Sequence, residues 1–410
     1  MAEKTIALIE SLDTKKEEAF YAKSFIEENG FGVFLIDNST KGLESEGADI
    51  SPLQILSEAG VGREQFEALS KAERIETMRK ALIPALTRFY GEGRFAAVLS
   101  IGGGQNATMA APAMKGLPFG VPKIIASSLA CGVRTMEQFV GEKDIFVIPT
   151  VADIAGLNAV TKTLIGNVCS AAMGLARYGK VHQTEPGKQV IAATMLGVTT
   201  KGTEHALRLI SEKGNFEPMV FHANGVGGRC MESLIGEARI DAVLDMTLHE
   251  IVCEIYGGYC SGAKDRLLLA IEKGLPMAVV PGGLDMIDFF IDEKGNSLPP
   301  EIDRRKRVYH NSSICHCKLY PEEASFAAKL VCERLNRSRR PVALVVPERG
   351  CCETSAPGGA LYDPETDRAM VAAFRRYAGE QVRLTVVDAN ISDDCFAEAA
   401  AMEFLKILEL

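Results

Sequence analysis

The sequence predicts an α/β protein of doubly wound, mostly parallel sheets flanked by helices. Three observations carry that expectation. Short apolar runs alternate with segments of helical period. The runs are continuously apolar rather than alternating, as strands covered on both faces are. Glycine- or proline-containing turns punctuate their ends. Length agrees, because 410 residues exceed one ordinary core and suggest two domains of roughly 100–200 residues each.

Taken in order, Thr5–Ile9 reads as the first strand. Lys15–Asn29 carries Ala19, Phe20, Ala22, Phe25 and Ile26 at helical spacing and stops at Gly30. Phe31–Ile36 is the second strand. Asn38–Gly91 then interrupts the alternation with a helical insertion. Within it, Arg74–Ile83 places Ile75, Met78, Ala81 and Leu82 on one face, and Pro84 is expected to end or kink that helix. Glu64–Lys80 reads as a charge-rich, solvated face. Phe95–Ile101, Lys123–Ala126 and Ile145–Pro149 continue the strands. Polar Tyr178–Gln189, with Pro186-Gly187, is the expected linker, giving domains 1–182 and 188–410. Ile6–Phe34 lies without gaps on Ala192–Val220, Thr14-Lys15 falling on Thr200-Lys201, Glu18 on Glu204 and Asn29 on Asn215. Any two strand–helix–strand units resemble each other to this degree, so an internal repeat and a generic likeness both stand. Ser392–Leu410 reads as a docking helix capped by Ser392 or Asp393.

Composition removes several function classes. The chain is 47% apolar and 24% charged with net charge −9, which leaves no electrostatic footprint for nucleic acid. No uninterrupted apolar run approaches the roughly 20 residues of a membrane span, and Met1-Ala2-Glu3-Lys4 enters a strand without a signal-peptide pattern. Eleven cysteines, an odd number scattered through a large chain, point to reduced thiols in the cytoplasm.

In open α/β sheets ligands bind beyond the carboxyl ends of the strands, so the loops after strands are where chemistry is sought. Gly102-Gly103-Gly104-Gln105-Asn106 follows Phe95–Ile101 and precedes a helix expected from near Ala107. Three residues without Cβ atoms let a phosphate approach backbone N–H groups at a helix start, and Asn106 and Thr108 add side-chain donors. Close packing alone also accounts for such a turn. The loop lacks the Gly-Lys-Ser/Thr ending of a Walker loop. It fits Gly-x-Gly-x-x-Ala through Gly102, Gly104 and Ala107, but the next strand ends in Ala126-Ser127-Ser128, with no acid for a ribose, which speaks against a nicotinamide cofactor. Ser127 is counted with the phosphate loop. Ser11–Lys15 ends the first strand, with Asp13 or Thr14 as helix cap and Lys15 as a flexible cation for an anion. Asp37–Thr40 ends the second, and Asp153 and Asn158 follow Ile145–Pro149.

The second half repeats the pattern. Pro218–Phe221 leads into His222-Ala223-Asn224-Gly225-Val226-Gly227-Gly228-Arg229, with a helix expected from Cys230. Gly227, Gly228 and Arg229 suit a carboxylate or phosphate, with Thr200 and Asp245 at neighbouring strand ends as substrate-binding candidates. Asp153, His222, Asp245, Glu250 and Glu348 are candidate acid–base groups, each with an ordinary loop role as the alternative. Cys315-His316-Cys317 and Cys351-Cys352 lack zinc spacing, so no metal is expected there. Gly258-Tyr259-Cys260-Ser261-Gly262 imitates a nucleophile elbow, but Ile251–Tyr256 before it reads as helix as readily as strand. Arg304–Arg307 and Arg337–Arg340 read as solvated basic runs.

Long runs carry a family resemblance. Ser100–Asn106, Leu117–Ser127 and Pro149–Val160 resemble the ATP-binding region of the tomato mosaic virus resistance protein-like family. So do Leu196–Thr200, Val220–Leu234, Leu284–Phe289, Pro299–Glu301, Ala356–Gly358 and Tyr362–Glu365. The resemblance covers nearly the whole chain. It implies two Rossmann-like domains, each a mostly parallel sheet flanked by helices, with a helical insertion in the first. It also implies homodimerisation and ATP on Gly102–Asn106 and the Asp13-Thr14-Lys15 turn. Relatives with a further barrel domain imply that any reaction needing it calls for a separate polypeptide here. The expected function is an ATP-binding cytoplasmic protein, an enzyme acting on a small anionic metabolite between the domains. The alternative is a nucleotide-regulated binding module without turnover. Mg²⁺ is expected only as the companion of ATP, since no carboxylate pair marks a site for it.

Overall fold

The computed structural model describes residues 4–131, 136–262, 264–291, 298–299 and 301–409. Met1–Glu3 of the amino-terminal reading, Pro300 of the Pro299–Glu301 run and Leu410 of the last helix lie outside the described residues. The chain divides into two compact units, Met1–His182 and Gln183–Leu410.

The first unit carries strands β1 (Thr5–Glu10), β2 (Gly32–Asp37), β3 (Ala97–Gly102), β4 (Lys123–Ser127) and β5 (Ile145–Pro149). They form one sheet in the order β2-β1-β3-β4-β5, every neighbouring pair parallel. The chain moves outward from β1 to β2, then returns past β1 to lay down β3, β4 and β5. The order therefore reverses between β1 and β3, the place where open α/β sheets form a ligand crevice. Successive strand residues face opposite sides. Ile6, Leu8, Leu35 and Ile101 pack against helices Leu12–Glu28 and Ala159–Tyr178. Ala7, Ile9, Phe34 and Val98 pack against helices Lys71–Gly91 and Gly104–Lys115. Ala159–Tyr178 is long and apolar enough to cross a membrane, yet its Ile165, Val168, Cys169 and Ala172 are buried in the sheet's core.

Pro84 does not end its helix: Lys71–Gly91 runs through it. Pro84 and Lys80 are both exposed, so the Lys80 carbonyl freed by the missing N–H meets water. The opposite face buries Met78, Ala81, Leu82, Ala85, Leu86 and Phe89. At about 1.5–3 kcal/mol for each large side chain, that burial outweighs the roughly 3 kcal/mol that proline costs a helix interior. Two helices also start earlier than their composition suggests. Leu12–Glu28 begins three residues ahead of Lys15, whose own φ of −133° and ψ of 30° depart from helical values. Gly104–Lys115 begins three residues ahead of Ala107. Glycine's poor helix propensity hides a first turn built from it.

The second unit carries β6 (Gln189–Met195), β7 (Phe216–His222), β8 (Ala242–Thr247), β9 (Met277–Gly282), β10 (Met286–Phe290), β11 (Arg307–Asn311), β12 (Ile314–Lys318), β13 (Val342–Pro347) and β14 (Val382–Val387). Its main sheet runs β14-β13-β9-β8-β6-β7, all parallel. Again the chain goes outward first, β6 to β7, and reverses between β6 and β8. A second sheet, β10-β12-β11, is antiparallel and was not expected from the sequence. The alternating Cys315-His316-Cys317 run lies on its central strand. The last helix, Asp394–Leu408, packs Phe396, Ala397, Ala400 and Phe404 on the main sheet. Its N-cap is Asp393, whose carboxylate accepts from Asn390 N rather than from the helix.

Candidate functional site

At the reversal in the first unit a buried polar chain links three strand ends. Ser11 Oγ donates to Asn38 Oδ1 at 2.7 Å, and Asn38 Nδ2 donates to Asn106 Oδ1 at 2.8 Å. Asn106 Nδ2 in turn reaches Ser100 Oγ at 3.0 Å and Glu10 Oε2 at 3.2 Å. Ile101 N donates to Glu10 Oε1 at 2.6 Å. Asn106 is thus committed to joining β1, β2 and β3, and the expectation that it offers a donor to a ligand is corrected. Burial pushes the Glu10 carboxyl well above the usual carboxylate range, with the nearby carboxylates of Glu18 and Asp37 adding to the rise.

Above this floor the turns after β1 and β2 are tied together. Asp37 Oδ1 accepts from Leu12 N and Ser39 N, and Asp13 N donates to Ser39 Oγ. Asp13 does not cap its helix, whose N-cap is Ser11; its carboxylate accepts from Thr40 N at 3.3 Å and Lys41 N at 3.1 Å. Thr14 does not cap it either: its Oγ1 donates back to Ser11 O at 3.4 Å. Gln105 Nε2 reaches Thr40 Oγ1 at 3.4 Å. Thr14 is exposed, and Lys15, Gly103 and Gln105 are half-buried.

The three glycines differ in role. A Cβ at Gly102 would press on Asn106, and one at Gly104 on Leu129, so these two permit close packing. A Cβ at Gly103 would meet nothing within 4 Å among the described residues. Gly103 is the N-cap of the twelve-residue helix Gly104–Lys115, with no side-chain cap among the described residues. The first turn of a helix leaves its N–H groups without intrahelical acceptors. Ser127 lies fully buried behind the loop, its Oγ accepting from Leu129 N. Asp153 is exposed after β5, two strands from Gly103 in the sheet order.

The glycine loop of the second unit, which follows the edge strand β7, is already filled. Glu250 Oε1 accepts from Gly225 N at 2.7 Å and Gly228 N at 3.0 Å. Glu250 Oε2 accepts from Arg266 Nε at 2.8 Å, and Arg266 forks onto Asp245 at 2.7 and 2.8 Å. Thr194 Oγ1 donates to Asp245 Oδ1 at 2.6 Å. Arg266, Asp245 and Glu250 are all buried. Burial alone would lower the Arg266 guanidinium, but the charges of Asp245 and Glu250 outweigh it and drive its pKa upward. These contacts correct three expectations. Asp245 binds Arg266 rather than a substrate, Glu250 is no accessible acid–base group, and the donors of Gly228 serve the chain's own carboxylate. Gly228 is obligatory, since a Cβ there would collide with Glu250 and Arg266. The helix begins at Gly227, not Cys230, and Arg229 lies half-buried in its first turn. Thr200 Oγ1 donates back to Leu196 O. His222, the last residue of β7, is exposed, and Glu348, just beyond β13, is half-buried. Arg266 escaped the sequence reading because no motif surrounds it and its partners stand 16 and 21 residues away.

One further cluster was missed. His249 and Cys253, on helix His249–Tyr256, lie beside Cys260 and Asp288 of β10. The helix also settles the Cys260 reading, because a nucleophile elbow needs a strand before it. Burial alone would raise Cys253, but the hydrogen bond with Cys260 and the charge of His249 bring its thiol well below the ordinary value.

Comparison with known proteins places the chain. The description "Uncharacterised protein family (UPF0261) N-terminal domain" matches residues 4–181, and the C-terminal domain of the same family matches residues 188–408. The chain belongs to the UPF0261 family. A UPF0261 protein of Clostridium tetani is 34% identical over 411 residues, 99% of each chain. The ToMV susceptible protein tm-1(GCR26) of Solanum lycopersicum is 32% identical over 403 residues, 94% of this chain and 52% of that one. The tomato ToMV resistance protein Tm-1(GCR237) is 31% identical over 398 residues, with the same coverage. The chain spans about half the length of these tomato relatives. Among solved structures, the glycosyltransferase SnogD from Streptomyces nogalater is 11% identical over 98% of this chain and all of that one. Its TM-score of 0.18 is too low to carry an argument. Both glycine loops fall inside the regions matched to the UPF0261 family.

Proposed function

We propose that this UPF0261 protein binds ATP at the carboxyl end of the first unit's sheet, where the strand order reverses. The observation that carries the reading is the contrast between the two glycine loops. Gly225 and Gly228 give their N–H groups to Glu250, whereas Gly103 opens a helix with no side chain over it among the described residues. A helix start of this kind favours phosphate oxygens through its N–H groups and dipole. Lys15 supplies a flexible positive charge, and Gln105 and Thr14 line the same rim. Mg²⁺ would accompany the nucleotide, with Asp13 as the exposed carboxylate nearest the β1 and β2 turns.

The arrangement favours nucleotide binding without turnover at this sheet over a catalytic role for Asp153. Asp153 lies on the loop after β5, two strands from β3 in the sheet order, whereas Lys15, Thr14 and Gln105 follow β1 and β3, the neighbouring strands at the reversal. ATP added to the full chain is expected to raise its melting temperature without release of ADP. Release of ADP at rates lost in an Asp153→Asn variant would overturn the binding-module reading in favour of an enzyme. No shift with ATP in either measurement would overturn the proposal itself.

A further inference from the structure

Three electron-pair donors, His249, Cys260 and Asp288, converge inside the second unit, apart from its glycine loop, and Cys253 stands beside them. His249 and Cys253 stand four residues apart on one helix face. Cys260 comes from the turn that follows, and Asp288 from β10. His249 Nε2 lies 3.1 Å from Asp288 Oδ2 and 3.3 Å from Cys253 Sγ. Cys260 Sγ lies 3.5 Å from the same Asp288 oxygen. The ligand atoms of His249, Cys260 and Asp288 all fall within 4.8 Å of one another.

We propose that His249, Cys260 and Asp288, joined by Cys253 from the turn of helix next to His249, form a structural site for one zinc ion. Tetrahedral zinc, with bonds of about 2.0–2.1 Å to nitrogen and oxygen and about 2.3 Å to sulfur, sets N···O edges near 3.3 Å and N···S or O···S edges near 3.5 Å. The three measured edges come within about 0.2 Å of those values.

The surroundings support the assignment. His249 Nδ1 lies 3.0 Å from Gly283 O, which places a proton on Nδ1 and leaves Nε2 as the ring nitrogen that faces the cluster. That backbone contact is the outer-shell partner metal-binding imidazoles usually have. A hydrogen-bonded ion pair is the competing account, and it asks one Nε2 hydrogen to serve Asp288 and Cys253 together. Asp288 Oδ1 is buried with no hydrogen bond among the described residues, and His316 Nε2 stands 3.8 Å away. A Cβ at Gly258 would lie 2.6 Å from Cys253 Sγ, so the backbone closes tightly on the thiol. His249, Cys253, Cys260 and Asp288 are at most 4% exposed. Zinc sites of full protein ligation and no solvent access are structural, whereas catalytic ones keep a position open. The signal was present in the sequence as His249-x-x-x-Cys253 followed by Cys260, but no Cys-x-x-Cys pair announced it.

The test uses the full chain, stripped with a chelator, kept reduced and titrated with Co²⁺ and then Zn²⁺. One equivalent of Co²⁺ is expected to give thiolate charge-transfer absorption and tetrahedral d–d bands, both bleached by one equivalent of Zn²⁺. Cys395→Ala, at an exposed thiol, should leave both unchanged. Cys260→Ser should cut the charge-transfer intensity roughly two-fold, one of two thiolates being lost. Should that variant fail to fold, X-ray absorption of the zinc-loaded natural chain counts the ligands directly, with two sulfurs and two nitrogen or oxygen atoms expected. A folded natural chain that takes up no stoichiometric metal, a band unaltered in folded Cys260→Ser, or a different sulfur count would overturn the proposal.

Discussion

Gly103 and Gly228 each stand at a loop–helix junction after a strand, Gly103 beyond β3 beside the reversal of its sheet and Gly228 beyond the edge strand β7, in opposite surroundings. Nothing described lies over the first, while the second touches Glu250 and Arg266. Gly228→Ala should therefore destabilise the chain by about 2–4 kcal/mol, through overpacking and a disturbed buried network. A denaturant midpoint unchanged by that substitution would contradict the packing described. Glu232 gives a pH signature. Burial lifts its carboxyl to about 7, against the pull of Arg266. Its folded value exceeds the unfolded value of about 4.3, so the folded chain holds the extra proton between the two. Stability contributed by this group falls as pH rises from about 4.3 to about 7. Glu232→Gln keeps an acceptor for Leu267 N and removes the titration. It should gain up to about 3–4 kcal/mol relative to the natural chain between pH 4 and pH 8, followed by urea melts. A difference that does not change with pH would refute it. At this scale the sequence revealed Gly102–Asn106, because three glycines after an apolar run are conspicuous. It hid Asn106's inward role and Arg266 altogether, since both depend on partners brought close only by folding.

Elements were more legible than the contacts between them. All five strands of the first unit coincide closely with continuous apolar runs, because burial on both faces writes itself into composition. Helix starts were read late where glycine forms the first turn, and Pro84 misled because its exposed position lets water replace the lost bond. Pro84→Ala should restore a partner to the Lys80 carbonyl and raise stability by about 1–3 kcal/mol, seen as a higher urea midpoint at unchanged slope. A lower midpoint would show that the ring itself supports the fold. The antiparallel β10-β12-β11 sheet went unseen, its strands short and partly polar: Tyr309, His310 and Asn311 are exposed. That sheet contributes Asp288, so missing it also concealed the His249 cluster.

For the whole molecule, the two units share a topology of outward step, reversal and parallel extension, which agrees with the matched Ile6–Phe34 and Ala192–Val220 segments without deciding between repeat and generic likeness. Between helix Ala159–Tyr178 and β6 the chain is almost wholly exposed. Limited proteolysis should cut there first and leave two resistant fragments; early cleavage inside either sheet would contradict the division. The proposed nucleotide site draws on the first unit alone and the proposed zinc site on the second alone, so each can be abolished while the other is measured. The central claim is that phosphates rest on backbone donors uncovered at Gly103. Its φ of −76° and ψ of −176° suit any residue, so Gly103→Val should fold normally. Calorimetric titration of ATP into the natural chain and this variant is the decisive comparison. A loss of affinity of about ten-fold or more, equal to roughly 1.4 kcal/mol or more, is expected with the melting temperature unchanged. Equal affinity in two folded proteins would contradict the account.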